Sequence, residues 1–239
     1  MSQVAPLPRR RIYLMRHGSV DYFDADGQPM RQDQLTLSQS GIAQAQAAGA
    51  LLRDIRFDRV VSSGLLRTRQ TAQLVLDASL NNAPPAIEAW PELDEMKNGR
   101  LENIARDDLE RSFLDVFRGI RGEQEKFLGG ETLGQLFDRV IPALQKLLSD
   151  RAWDTLLLVL HGGVNRSILS YALTGQRMFL GAFEQAPACI NVLDVDDSHW
   201  VVHAVNVAPT DWLHGETRST TMEMFLQEYL KGVIKKVRP

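Results

Sequence analysis

The chain has 239 residues, with 27 Lys and Arg against 30 Asp and Glu, so its net charge of -3 lacks the basic excess that a nucleic-acid partner requires. Apolar residues at 44% and charged residues at 24% are ordinary globular proportions, which exclude a disordered chain and a membrane partner. The one cysteine, Cys189, excludes an intramolecular disulfide and a multi-cysteine zinc cage, and fits a reducing, cytoplasmic location. Met1 to Pro8 lack the apolar stretch of a signal peptide, and no later run reaches transmembrane length. One domain over residues 1–239 is expected.

Arg9-Arg10-Arg11 reads as a solvated strand entry, and Ile12-Tyr13-Leu14-Met15 predicts a first strand ending in Arg16-His17-Gly18. Gly27, Pro29 and their polar neighbours form a loop to Leu35. Ser38 is an N-cap for a helix from about Gln39 to Ile55, with Ile42, Ala45, Gly49 and Leu52 as its apolar stripe. Arg59-Val60-Val61-Ser62 predicts a second strand, and Leu65 to Asp77 a helix with Leu66, Thr71, Leu74 and Val75 facing inward. Proline and glycine punctuate residues 81–130, which read as an insertion over the active site. A helix from Thr132 to about Ser149 must kink or divide at Pro142.

Thr155 to Leu160 is the clearest buried strand and ends in His161-Gly162-Gly163, with a helix from near Val164. Strands around Cys189 to Asp194 and Trp200 to Val207, joined by Asp196-Asp197-Ser198, form an antiparallel pair. A C-terminal helix within about 216–236, roughly Thr220 to Lys235, carries an apolar face of Met222, Phe225, Leu226, Tyr229 and Val233. That face packs on the body or supports a homodimer. Strands alternating with helices predict an α/β fold, a three-layer sandwich with a mostly parallel central sheet flanked by helices.

Three strand ends each present a group suited to phosphate. An Arg grips two phosphoryl oxygens with its planar fork, and a neutral His offers a ring nitrogen that can attack phosphorus, which makes Arg16-His17 a candidate phosphoryl-transfer pair. Arg67, near a helix start, adds its charge to the helix N-terminus. Leu160-His161-Gly162-Gly163 is a third strand-to-helix turn, whose small residues permit close approach. His199, His203 and His214 lack metal-ligand spacing.

Six ordered segments resemble the histidine phosphatase superfamily, which includes cofactor-dependent phosphoglycerate mutases and phosphomonoesterases. They are Arg16-His17-Gly18, Leu37 to Gly41, the Ser-x-Leu-x-Arg-x-x-x-Thr-Ala pattern of Ser63 to Ala72, and Glu95 to Gly99. Gly130-Glu131-Thr132 with Arg139, and His161 to Arg166, complete the set.

The resemblance implies a phosphoglycerate mutase-like fold with His17 as the nucleophile that becomes phosphohistidine. It makes Arg16, Arg67 and Gly162 phosphate-binding residues. His161 lies across the pocket and is expected to be protonated, opposite to His17, whose second ring nitrogen should donate to a backbone carbonyl. Glu95 takes the place of the general acid, with Glu92 and Asp94 as neighbouring substitutes. Asn165 and Arg166 read rather as a cap and a surface residue, Ser62 and Ser63 as helix caps, Arg69 as exposed, and Glu131 and Arg139 as structural. No metal or other cofactor is implied, because the arginines neutralise charge.

Ser19, Val20, Asp21 and Tyr22 depart from the Glu or Gln that many members place after Arg-His-Gly, and Lys97 to Gly130 is shorter than the insertion of the mutases. The first departure leaves the substrate-facing side of the first loop open, and the short insertion favours a metal-independent phosphomonoesterase acting on a small-molecule phosphate ester through phosphohistidine. The alternatives are a cofactor-dependent phosphoglycerate mutase and a non-catalytic phospho-ligand binding module.

Overall fold

Side chains alternate between the faces of a strand, and in β1 (Arg10–Arg16) Ile12 and Leu14 enter one buried cluster while Tyr13 and Met15 enter another. The structure, a computed structural model, describes residues 9–24, 28–81, 83–197, 199–215 and 218–237, and of residues 233–237 the backbone alone. Besides β1, the main sheet contains β2 (Arg59–Ser62), β3 (Ile87–Ala89), β5 (Thr155–Leu160), β7 (Ile190–Val195) and β8 (Trp200–Val207), in the order β3-β2-β5-β1-β7-β8. The first four strands of that order run parallel, and β7 and β8 pair antiparallel as expected. β4 (Ile120–Arg121) and β6 (Phe179–Leu180) form a separate two-stranded ladder.

Helices α1 (Gln39–Leu52) and α2 (Leu66–Asp77) cover the face bearing Tyr13, Met15, Leu157 and Val159. The short α3 (Leu109–Leu114) packs with α4 (Leu133–Ser149) and α5 (Gly162–Thr174) in the cluster on the other face. The result is the three-layer α/β arrangement expected from the alternation of strands and helices. Helix starts follow local chemistry: the Ser38 hydroxyl accepts the Gly41 N–H at 3.1 Å, and Thr132 and Gln135 form a reciprocal capping box.

Several boundaries and burials differ from expectation. Residues 81–130 do not all lie over the sheet, because Ile87–Ala89 pairs with β2 and forms its edge. Pro142 occupies the exposed side of one undivided helix, where solvent compensates the missing N–H donor. The first helix stops at Leu52, short of Ile55. Leu66 is exposed whereas Arg67 and Thr68 are buried, so α2 turns a polar edge inward at its start.

Arg10 is buried rather than solvated, donating to the Leu148 and Asp150 carbonyls with its guanidinium 4.1 Å from the Trp153 ring centre. Helix α6 (Thr221–Val237) lays Met222, Phe225, Leu226 and Tyr229 on the chain's own core. Met1 to Pro8, Gly27, Ser198, residues 216 and 217, and the Val233 side chain lie outside the described residues. Among the described residues no helix is long and apolar enough to cross a membrane.

Candidate active site

Strands β2, β5 and β1 are neighbours, so parallel pairing carries the three motif-bearing turns to one edge of the sheet, at the strand carboxyl ends. Arg16, His17, Arg67 and His161 meet there, all buried. The first turn is compressed against α1, since a β-carbon on Gly18 would lie 2.5 Å from the Gly41 carbonyl oxygen. The Gly18 N–H donates to the Thr71 hydroxyl, which joins this turn to α2.

His17 lies 2.7 Å through Nδ1 from the Gly18 carbonyl oxygen, and the Arg67 Nε lies 3.3 Å from its Nε2. A carbonyl only accepts and a guanidinium only donates, so Nδ1 carries the proton and Nε2 presents its lone pair. Burial, reinforced by the charges of Arg67 and Arg16, holds the imidazole well below its ordinary range, and His17 is neutral as expected.

His161 corrects an expectation. It was expected to be protonated, but burial and the fields of Arg67, His17 and Arg16 push it well below its ordinary range too. The Arg67 Nη2 lies 3.4 Å from His161 Nδ1, so Nε2 donates to the Ser63 hydroxyl at 2.8 Å. Ser63 lies 3.1 Å from the Thr68 hydroxyl, which donates to the Leu65 carbonyl. Ser63 thus buttresses His161, and α2 has no side-chain cap. The two rings meet edge to face with centres 5.2 Å apart.

Gln32 fixes Arg67, its backbone carbonyl accepting from Nη1 at 2.7 Å and its side chain from Nη2 at 3.0 Å. Arg16 donates through Nη1 to the Gln185 carbonyl and to the Thr221 hydroxyl, while its buried Nε has no partner. Gln185 in turn joins Asn165 and Asn191 in a buried amide network. Asn165 is therefore no cap, and Arg166 is no surface residue: it is 5% exposed and binds the Gly162 and Gly181 carbonyls and Glu184. Burial lowers Arg166 to about 10, still charged at neutral pH.

Both carboxylate oxygens of Glu95 lie 3.2 Å from the Gly163 N–H at the start of α5. A β-carbon on Gly163 would meet Oε1 at 2.7 Å, so glycine there permits the approach. Arg139 holds the same segment by donating to the backbone carbonyls of Glu92, Asp94 and Glu95 while paired with Glu131. Burial favours the protonated form of Glu131, but Arg139 and the Lys97 N–H outweigh it and keep the carboxylate charged. Glu131 and Arg139 are structural, as expected, and the structure they hold is the Glu95 loop. Glu92 is exposed, and the half-buried Asp94 carboxyl is raised by burial.

A cavity of about 60 Å³ brings together Arg16, His17, Arg67, Glu95 and Gly162; His161 lies beside it through its contacts with Arg67 and Ser63. Gln32, Ser63 and Thr221 were not singled out as site residues in the sequence. Ser63 carried a signal as the first residue of the Ser63 to Ala72 pattern, whereas Gln32 and Thr221 act on arginines far away in the chain. Among the described residues no group of three or more His, Cys, Asp or Glu gathers as a metal site.

Residues 12–208 match the family model of the histidine phosphatase superfamily (branch 1). The chain is 30% identical over 195 residues to a metal-independent phosphoserine phosphatase of Arabidopsis thaliana, covering 80% of this chain and 79% of that protein. It is 28% identical over 198 residues to an adenosylcobalamin/alpha-ribazole phosphatase of Salmonella typhimurium, covering 82% and 96%. The fold matches a phosphoglycerate mutase from Bacillus anthracis with a TM-score of 0.63 at 18% identity, over 95% of this chain and 98% of that one. With the family match running from β1 through β8, this chain belongs to the histidine phosphatase superfamily, branch 1.

Proposed function

We propose that this protein is a metal-independent phosphomonoesterase that hydrolyses a small phosphate ester through a phosphohistidine at His17. The observation that carries the reading is the state of His17: neutral, with Nδ1–H tied to the Gly18 carbonyl and the unprotonated Nε2 facing the Arg67 Nε–H at 3.3 Å, a donor that a phosphoryl oxygen can take over when Nε2 turns to phosphorus. In the first step Nε2 attacks phosphorus, the bond from phosphorus to the leaving oxygen breaks, and Glu95 donates its proton to that oxygen. In the second step water attacks the phosphohistidine and gives its proton back to Glu95. Inorganic phosphate leaves, and His17 is neutral again.

Arg16 Nε and the Arg67 fork supply donors for the phosphoryl oxygens. Gly162, at the start of α5, lets the phosphoryl group approach closely. Burial and the cationic field together keep His161 neutral; a bound dianion offsets the field, so substrate binding raises its proton affinity and lets it donate to the charge developing on phosphorus. Arg16, Arg67 and Arg166 concentrate the positive charge that a metal ion supplies in other phosphoryl-transfer sites.

Hydrolysis is favoured over mutase chemistry by a second cavity, of about 220 Å³, which shares Arg16, His17, Tyr22 and Phe225 with the first and extends past Ser19 and Asp21. A mutase must shield its phosphohistidine from water, whereas this histidine is reached from two cavities.

The test is p-nitrophenyl phosphate in the presence of EDTA, with wild type and His17→Ala compared. Wild type is expected to release phosphate and carry an acid-labile phosphoryl label, and folded His17→Ala to do neither. Retained turnover in His17→Ala overturns the reading.

A further inference from the structure

Beyond the phosphate-binding groups the cavity changes character. Phe117, Phe127 and Leu128, from the segment between β3 and α4, line it together with Tyr22, Met222 and Phe225, and the uncharged Asn98 and Thr220 complete the wall. These side chains are held in place. Phe117 and Phe127 pack edge to face with centres 5.9 Å apart, and Tyr22 lies 4.8 Å from Phe225. Leu128 is 1% exposed with φ at 48°, a left-handed backbone that a branched residue adopts only when its surroundings impose it.

Helix α6 brings Met222 and Phe225 to the cavity one turn apart. Its start is closed by Thr220 and Glu223, each backbone N–H bonded to the other's side chain. It is also tied to the phosphate-binding groups, since the Thr221 hydroxyl accepts from Arg16 Nη1 at 2.8 Å. These residues lie beyond residues 12–208, which match the family model.

The lining cations are Arg16, Arg67 and Arg166. The first two serve the phosphoryl group. Arg166 is already paired with the Glu184 carboxylate at 3.2 Å and donates to the Gly162 and Gly181 carbonyls, and its guanidinium lies 4.8 Å from the Phe117 ring centre. A leaving group with its own carboxylate would enter apolar walls without a fresh charged partner, whereas a ring or alkyl group would bury apolar surface there.

We infer that the substrate's leaving group is an uncharged, apolar organic group seated among these side chains, with α6 as the element that selects it. The inference rests on the phosphatase reading above. It distinguishes this site from one built for phosphoserine or a phosphoglycerate.

The experiment compares kcat/KM for 2-phenylethyl phosphate, phosphoserine and 3-phosphoglycerate, with p-nitrophenyl phosphate as the activity control. All three leaving oxygens are alcohols, so the pocket rather than leaving-group acidity sets the order. The phenylethyl ester is expected to exceed both charged esters by about tenfold or more. Phe225→Ala should bring that ratio towards unity, and Met222→Lys should shift it towards phosphoserine by supplying a cation. Phe225 also packs on Phe113, so Met222→Lys, shown folded by thermal unfolding, carries the test if Phe225→Ala does not fold.

Turnover of the control without preference for the phenylethyl ester overturns this inference alone, as does an unchanged ratio in folded Met222→Lys. Inactivity on every ester, the control included, overturns the phosphatase reading and this inference with it.

Discussion

The phosphate-binding groups of the cavity and its apolar lining are built in opposite ways. At the first, Arg16, Arg67 and His161 each sit at or just beyond a strand end, and neighbouring backbone and hydroxyl groups fix most of their polar atoms. At the second, residues from the first loop, the 90–130 segment and α6 converge from distant parts of the chain and interact through rings and alkyl groups. Directional hydrogen bonds hold reacting groups to a geometry, while apolar contacts ask only for shape and volume. The chemistry is therefore fixed by short stretches and the selectivity by assembly.

Substitutions separate the two sets. The largest effect is expected from Glu95→Gln, which removes the proton donor: kcat/KM for 2-phenylethyl phosphate should fall by about 10²- to 10⁴-fold. The loss for p-nitrophenyl phosphate should be far smaller, because that leaving group departs without a proton. Equal losses on the two esters would take the general-acid role from Glu95.

Arg67→Ala should lower kcat by about 10²- to 10³-fold on charged and apolar esters alike, the usual cost of losing a preorganised donor. A loss confined to one ester class would place Arg67 among the selecting residues and break the comparison.

The smallest effect is on stability. His17 and His161 both have folded pKa values below that of the free side chain, so the unfolded chain binds more protons between the two values. Stability is then lost as pH falls below about 6.5, by up to about 1.4 kcal/mol per pH unit for each histidine. Urea unfolding at several pH values should show this slope reduced in His161→Asn. An unchanged slope would show that His161 is not held neutral.

Much of this was legible in the chain because it is local. The apolar run Thr155 to Leu160 and the turn after it identified β5 and His161, and Ser38 identified the start of α1. The tautomer of His17 was also readable, since a neutral nucleophilic histidine needs a backbone acceptor for its other nitrogen, which the structure identifies as the Gly18 carbonyl. The charge of His161 was not. It depends on a burial that no single segment records, and on Arg67 and Arg16, which arrive from α2 and β1.

Ser63 looked like a helix cap because Ser before a helix usually is one, yet a buried imidazole 98 residues away takes its hydroxyl instead. Arg166 looked exposed because arginine usually is, but Glu184 and two carbonyls make its burial affordable.

By itself the sequence determined the α/β order, the strand ends, the three turns that bear Arg16-His17, Arg67 and His161, and the family to which they belong. Periodicity and turn chemistry act over a few residues and can be read there. The tertiary structure alone decided that His161 is neutral, that Gln32 and Ser63 orient the reacting side chains, and that α6 closes the cavity with Met222 and Phe225. Each of these depends on electrostatic fields, desolvation or packing between segments far apart in the chain, and these act only once the fold has brought the segments together.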